Sequence, residues 1–333
     1  MRRLLFTIVS VIATLGWMRA AQNPQTLRVD VRLVNVVATV ADSKGTFVSS
    51  LTADDFTLYE DGVAQKIAHF TQDRDVPVSV GIVLDTSGSM TSRIGSATAG
   101  ITRFIESIHA DDDVFIMTFA RNVSLVQDFT SDRRKLSRAL GSIRIEGGTA
   151  FYDGVRHALE KIKEGRHDKK AILVFSDAMD MGSKATLEDV LLNVRRSEVL
   201  VYGLGTDQTT YADTSEHVPF TLPTPASAGR GPRNTRPAAG GRGAVASNGV
   251  NLKVLNQLST SSGGQEFLLS GTVMDTGFSR IDAILAQIAD EMRSQYTLGY
   301  YPSAPDNGQF HSIRVVTRPE YRVRTRAGYQ GRE

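Results

Sequence analysis

Three short stretches of this chain carry oxygen donors in a spacing that could do chemistry. Asp85, Ser87 and Ser89 stand at alternate positions directly after the apolar run Val78, Val80, Ile82, Val83 and Leu84, and Gly88 lets the backbone turn tightly there. Thr149 follows Gly147 and Gly148, and Asp177 comes just after the apolar run Ala171 to Phe175. A carboxylate with two hydroxyls suits a hard cation, and Mg²⁺ demands octahedral oxygen ligands while keeping several waters. One such loop is adequate only if others complete the set, and Thr149 and Asp177 supply those donors. With no Cys in the chain and no His cluster, the oxygen-only set favours Mg²⁺ or Mn²⁺ over Zn²⁺. The plainer alternative is that Asp85, Ser87 and Ser89 merely cap the helix that follows them.

Positioning these groups requires a sheet whose strands end together. The run Val78 to Leu84 is mostly β-branched and uninterrupted, the pattern of a strand buried on both faces in a parallel sheet. Further strands are expected at Val114 to Phe119, Val123 to Phe129, Lys170 to Ser176, Val199 to Leu204 and Glu266 to Leu269. Helices are expected between them. Ile101, Phe104, Ile105 and Ile108 mark one; Leu136, Leu140 and Ile143 another; Tyr152, Val155, Leu159 and Ile162 a third. Thr186 with Asp189 makes a capping box for a fourth, Leu252, Leu255 and Leu258 begin a fifth, and Ile281 to Met292 is a sixth. Strands alternating with helices read as a doubly wound, mostly parallel α/β domain over residues 75–295. The run Asp111-Asp112-Asp113 reads as a solvated turn entering a strand.

Asp85-Thr86-Ser87-Gly88-Ser89, then Thr149, then Asp177 resembles the metal-ion-dependent adhesion site of von Willebrand factor type A domains, in order and in spacing. The resemblance implies that Ser87 and Ser89 bind metal directly, Thr149 directly or through water, and Asp85 and Asp177 mostly through water. Where the family often has Gly after the last Asp, this chain has Ala178.

The flanks are different in kind. Leu27, Val29, Val31 and Leu33 alternate with polar residues, the phase slips at Val34, and alternation resumes through Val36, Ala38 and Val40. Asp61-Gly62 signals a hairpin between Phe56 to Tyr59 and Gln65 to Phe70. After the α/β block come Tyr296, Leu298 and Tyr300, then Ile313 to Val316, then Tyr321 to Tyr329 with Arg322, Arg324 and Arg326 as a basic stripe on a strand edge. Each β piece, 27–74 and 296–333, is too small to bury a core alone. They are expected to pair as a small β-sandwich into which the α/β domain is inserted. With Phe56-Thr57-Leu58-Tyr59-Glu60-Asp61-Gly62 ahead and Tyr296 to Pro302 behind, this layout resembles the exported bacterial VWFA-related domains of acidobacterial type. Residues 206–250, dominated towards their middle by Pro, Gly, Ala, Ser and Arg, are expected to be a disordered loop.

Arg2 and Arg3 precede an apolar run from Leu4 to Trp17, and Ala20-Ala21 follows, the layout of a secretory signal peptide over 1–21. The expectation is a secreted or periplasmic protein with no transmembrane segment in its mature chain. Losing Arg2, Arg3 and Arg19 takes the formal net charge from +2 to −1, which leaves a nucleic-acid partner unsupported. No nucleophile elbow, His-Glu-x-x-His or phosphate loop occurs, so the chain is not expected to be an enzyme. The expected function is metal-dependent protein binding, a partner's Asp or Glu completing the cation's shell. The alternatives are an envelope component whose metal is purely structural and, with less support, a metal-dependent hydrolase. Cleavage after the signal removes Trp17, the sole Trp. Protein from an exporting host should therefore lack tryptophan emission, and retained emission would overturn the signal-peptide reading.

Overall fold

The structure, a computed structural model, describes residues 33–72, 76–206, 249–269, 277–303 and 307–331. The chain divides into two compact units, Met1–Arg32 and Leu33–Glu333. The first unit, with the expected signal peptide and the start of the alternating run, lies outside the described residues, as does nearly all of the expected loop at 206–250.

Among the described residues the strands are, in chain order, β1 (Val34–Ala41), β2 (Phe56–Glu60), β3 (Val63–Gln65), β4 (Ile67–Gln72), β5 (Ser79–Asp85), β6 (Asp113–Phe119) and β7 (Val123–Thr130). They continue with β8 (Lys170–Ser176), β9 (Leu200–Thr206), β10 (Glu266–Leu269), β11 (Tyr296–Tyr300), β12 (Phe310–Thr317), β13 (Arg322–Thr325) and β14 (Gly328–Gln330). The α-helices are α1 (Ile94–Ser107), α2 (Arg133–Ser142), α3 (Phe151–Lys161), α4 (Leu187–Arg196), α5 (Leu252–Ser262) and α6 (Gly277–Met292).

The central sheet has the order β10-β9-β8-β5-β6-β7, parallel throughout except for the antiparallel edge strand β7. Every residue of β5 is buried. Val80, Ile82 and Leu84 face a core shared with Ile101 and Phe104 of α1 and Leu285 and Ile288 of α6. Val83 faces the opposite core, with Val155 of α3, Val190 of α4 and Leu255 of α5. Helices on both faces are what a strand buried at every position requires. The capping box at α4 forms as read: Thr186 Oγ1 accepts from the Asp189 amide at 3.2 Å, and Asp189 Oδ2 accepts from the Thr186 amide at 2.8 Å.

The flanking segments make two four-stranded antiparallel sheets, β13-β1-β11-β4 and β14-β12-β2-β3. β1 pairs with β11 from Val34 opposite Tyr300 to Ala38 opposite Tyr296, so residues from before and after the α/β region share one sheet. Both sheets contribute to one cluster, including Val36, Leu58, Leu298, Tyr300, Ile313 and Val315.

Three local expectations are corrected. The Asp61-Gly62 turn, with φ of 48° and 81°, pairs β2 with β3 (Val63–Gln65) rather than with Gln65 to Phe70, and β4 crosses to lie beside β11. Tyr321 to Tyr329 is not one basic edge strand but β13 and β14, in different sheets, and Arg324 and Arg326 are buried. Arg324 is ion-paired with Glu291 of α6, and Arg326 Nη2 donates to the Asn35 carbonyl at 2.6 Å. In the aspartate run only Asp111 is solvated. Asp112 accepts from the amides of Val78 (2.7 Å) and His109 (2.8 Å), and Asp113 from Ser79 Oγ (2.6 Å), so both act as buried clamps at the start of β5.

Glu291 is fully buried, and its Oε1 also accepts from Tyr202 Oη at 2.8 Å on β9 and from Thr39 Oγ1 at 3.2 Å on β1. Removing one partner of a buried ion pair leaves the other uncompensated, at about 3–5 kcal/mol. Glu291→Ala should therefore lower unfolding free energy by that order in urea titrations. Arg103→Ala, breaking a surface pair with Asp282 at 2.7 Å, should cost under about 1 kcal/mol.

Candidate metal centre

Asp85 is the last residue of β5 and Asp177 follows the last residue of β8, its neighbour in the sheet. The register sets Leu84 opposite Phe175, which brings Asp85 level with Ser176. The chain leaves β5 through α1 towards β6 on one side, and β8 lies on the other. This is the point where strand order reverses and crevices open at the carboxyl ends of parallel strands.

Three sets of backbone bonds gather the stretches. The Glu146 amide donates to the Thr86 carbonyl at 2.7 Å, tying the loop before Thr149 to the one after β5. The Met181 amide donates to the Thr149 carbonyl at 2.9 Å, tying that residue to the loop after Asp177. The Ala150 amide donates to the Ala120 carbonyl at 2.6 Å, fixing the start of α3 against the end of β6. Gly148, at φ 82°, makes the turn that delivers Thr149, and a side chain there would press on Arg121 as well as being strained.

The side chains hold one another. Asp85 Oδ1 accepts from the Ser87 amide at 2.8 Å, and Oδ2 from Ser176 Oγ at 2.6 Å. Ser87 Oγ and Ser89 Oγ are 2.9 Å apart. Asp177 Oδ1 accepts from the Met179 amide at 3.0 Å. The capping alternative fails here. Ser87 precedes the single 3₁₀ turn Gly88–Met90 without a side-chain cap bond, and α1 begins after Arg93, likewise uncapped by a side chain. The two hydroxyls are thus not spent on helix amides. Ser176 is the participant that sequence reasoning missed; its signal was a hydroxyl at the buried end of an otherwise apolar strand.

Asp85, Ser87, Thr149 and Asp177 are all buried. Among the described residues neither Asp85 nor Asp177 has an ion-pair partner, although the two carboxylates repel each other. Burial pushes the Asp85 carboxyl above its ordinary value, hydrogen bonds from Ser176 and Ser87 pull it back, and the Asp177 charge adds to the rise. Two buried carboxylates without a cation, beside paired hydroxyls, are a donor set that a hard divalent cation satisfies. Asp85, Ser87, Ser89, Thr149 and Asp177 would be the groups to hold it.

The Asp85 shift has a definite sign. The native state holds this proton more tightly than the unfolded chain, so the contribution is fully present below the unfolded carboxylate value near 3.8 and is lost as pH rises through the raised native value. In chelator, Asp85→Asn should flatten this fall in stability, as measured by thermal melts from acid to neutral pH. An unchanged profile would place the Asp85 proton elsewhere.

Residues 80–180 match the family described as von Willebrand factor type A domain. The chain is 27% identical over 103 residues to an uncharacterised protein of Synechocystis sp., covering 29% of this chain and 24% of that protein. It is 28% identical over 152 residues to an uncharacterised protein of Borreliella burgdorferi, covering 42% of this chain and 43% of that one. The chain thus spans less than half the length of either relative. Among solved structures it is similar to a von Willebrand factor type A protein from Catenulispora acidiphila, with TM-score 0.48 and 8% identity over 90% of this chain and 74% of that one. The matched residues run from β5 past Asp177, so residues 80–180, the part of the α/β region that holds all five candidate ligands, are similar to a von Willebrand factor type A domain.

Proposed function

We propose that this domain is a metal-ion-dependent protein-binding module in which Asp85, Ser87, Ser89, Thr149 and Asp177 hold Mg²⁺, or Mn²⁺, and the cation takes an Asp or Glu from a partner protein. The observation that carries the reading is the pair of buried carboxylates at adjacent strand ends without a cationic partner among the described residues. If both act mostly through water, the cation's direct ligands are mainly neutral hydroxyls, and it retains the electrophilicity to bind one more anionic oxygen. Met179 and Met181, on the loop after Asp177, are 47% and 84% exposed. Exposed methionines adapt to varied partner surfaces, which supports recognition at this rim. No described helix is long and apolar enough to cross a membrane. Export to the periplasm or beyond, with a β-sandwich from 27–74 and 296–333 around a domain at 75–295, completes the proposal.

Binding to the native state alone stabilises it by mass action, about 2.7 kcal/mol at a cation concentration 100 times the dissociation constant. Millimolar Mg²⁺ should raise the melting temperature; Asp85→Ala should abolish that increment and Asp111→Ala should keep it. The reverse pattern, or no divalent binding by calorimetry, sinks the assignment. Thr149→Ala separates recognition from a purely structural metal. Under the recognition reading it should lose chelator-sensitive partner capture along with the Mg²⁺ increment in melting temperature, whereas a purely structural metal would show the loss in melting temperature with no chelator-sensitive capture to lose.

A further inference from the structure

A second cluster of ligand-type side chains lies in the flanking sheets, away from the β5 and β8 ends. Alternation puts Phe56, Leu58 and Glu60 of β2 on the buried face, and likewise His311, Ile313, Val315 and Thr317 of β12. Two ionisable groups therefore occupy positions where the pleat calls for apolar ones, and at neighbouring ends, because Ile313 pairs with Glu60. Asp61, the first turn residue, brings a third.

His311 Nδ1 lies 2.8 Å from Asp61 Oδ2 and 3.3 Å from Glu60 Oε1. All three residues are held from behind. Tyr329 Oη donates to Glu60 Oε1 at 2.9 Å, and the His311 ring stacks on the Tyr329 ring with centroids 5.2 Å apart. The amide and hydroxyl of Ser312 donate to Asp61 Oδ1 at 2.8 and 3.0 Å, turning Oδ2 towards the imidazole. One ring nitrogen carries at most one proton, so it serves the two carboxylates only as a shared, weaker bond. Glu60 Oε2 is buried and has no hydrogen-bond partner among the described residues, in a side chain only 4% exposed. A buried carboxylate oxygen left unpaired is costly, and a divalent cation between the two acids and the imidazole removes that cost.

We propose that Glu60, Asp61 and His311 form a binding site for a divalent transition metal, with Zn²⁺ the best fit. Their ligand atoms all lie within 4.8 Å of one another. Tetrahedral zinc with bonds of about 2.0–2.1 Å sets its ligands roughly 3.4 Å apart, so small side-chain adjustments suffice. An imidazole nitrogen with two carboxylates suits zinc, whereas the oxygen-only set at Asp85 and Asp177 suits Mg²⁺. The Asp61 side chain is 50% exposed, which gives the ion an entry path and leaves a fourth position open to water. A bound ion would join the β2 end and turn to β12, with Tyr329 of β14 as its supporting neighbour.

The test is Zn²⁺ binding by equilibrium dialysis with metal analysis, backed by visible absorption of the Co²⁺ form, in an Asp85→Ala background that disables the other cluster. One equivalent of Zn²⁺ should bind per chain, and Asp61→Asn and His311→Gln should each weaken it by at least about tenfold. Asn tolerates the positive φ of 48° at position 61, so Asp61→Asn decides the matter should His311→Gln fail to fold. Failure of the folded Asp85→Ala protein to bind Zn²⁺, or undiminished binding in Asp61→Asn, would overturn the proposal and leave the Mg²⁺ reading untouched.

Discussion

The constraint on which this molecule depends is that β5 is buried along its whole length, with a helical layer on each side. Such a strand offers polar side chains only at its two ends, Ser79 at the start and Asp85 at the finish. Neighbouring β8 behaves alike, apolar from Ala171 to Phe175 between Lys170 at its start and Ser176 and Asp177 at its end. The sheet thereby confines its polar chemistry to one rim at the carboxyl ends and another at the amino ends. At the amino-end rim, Asp112 and Asp113 spend their carboxylates on backbone amides and Ser79. At the carboxyl-end rim the acids retain capacity for something else. Similar residue types thus take structural roles at the amino end, while at the carboxyl end Asp177, met by the single Met179 amide, stands beside Asp85 with no cationic partner among the described residues.

A second constraint ties the antiparallel sheets to this core. Glu291 on α6 meets Thr39 of β1, Tyr202 of β9 and Arg324 of β13, so one fully buried carboxylate touches the central sheet and the flanking sheet together. Burial holds the Tyr202 hydroxyl well above its ordinary value, and the Glu291 charge reinforces this, so the phenol stays a donor. A network this desolvated tolerates few alternative arrangements, because each misplacement leaves a buried polar group unpaired. It fixes the position of α6 against β1 and β13 more sharply than apolar contact alone.

What the sequence revealed follows from the range of the interaction concerned. The strands at Lys170 to Ser176 and Glu266 to Leu269 and the Thr186 capping box are local patterns, and the structure has them where they were read. The stretches proposed to hold a metal were legible because each closes a recognisable strand or opens a helix. Arg324 was misread as part of a solvated stripe because its partner Glu291 is far away in sequence and leaves no mark on the local alternation. The path of β4 was missed for a similar reason. Hairpin chemistry at Asp61-Gly62 fixes the turn but not how far its second strand runs, and pairing with β11, far along the chain, claims Ile67 to Gln72. Glu60 and His311 broke the inward pattern in plain view, yet their convergence becomes visible only once β2 and β12 are paired.

Ala178 joins these lines at a single residue. It has φ of 54°, a left-handed conformation that costs an ordinary L-residue roughly 1–2 kcal/mol, at the position where the family resemblance leads one to expect glycine. Two compensations are visible. Its methyl is fully buried among the residues packed between the sheet and α3, α4 and α5, and its amide donates to Ser176 Oγ at 2.9 Å. Ser176 in turn donates to Asp85, so the strained residue, the hydroxyl and the buried acid form one chain of contacts. Glycine would relieve the strain but lose the buried methyl, and would leave the residue after Asp177 free to sample other conformations. Alanine gives up part of that relief and in return holds the Asp177 loop in one arrangement. Strain of this kind persists where the surroundings over-determine the backbone, and here the surroundings are the Ser176 hydroxyl, itself bonded to Asp85, and the apolar residues around the buried methyl.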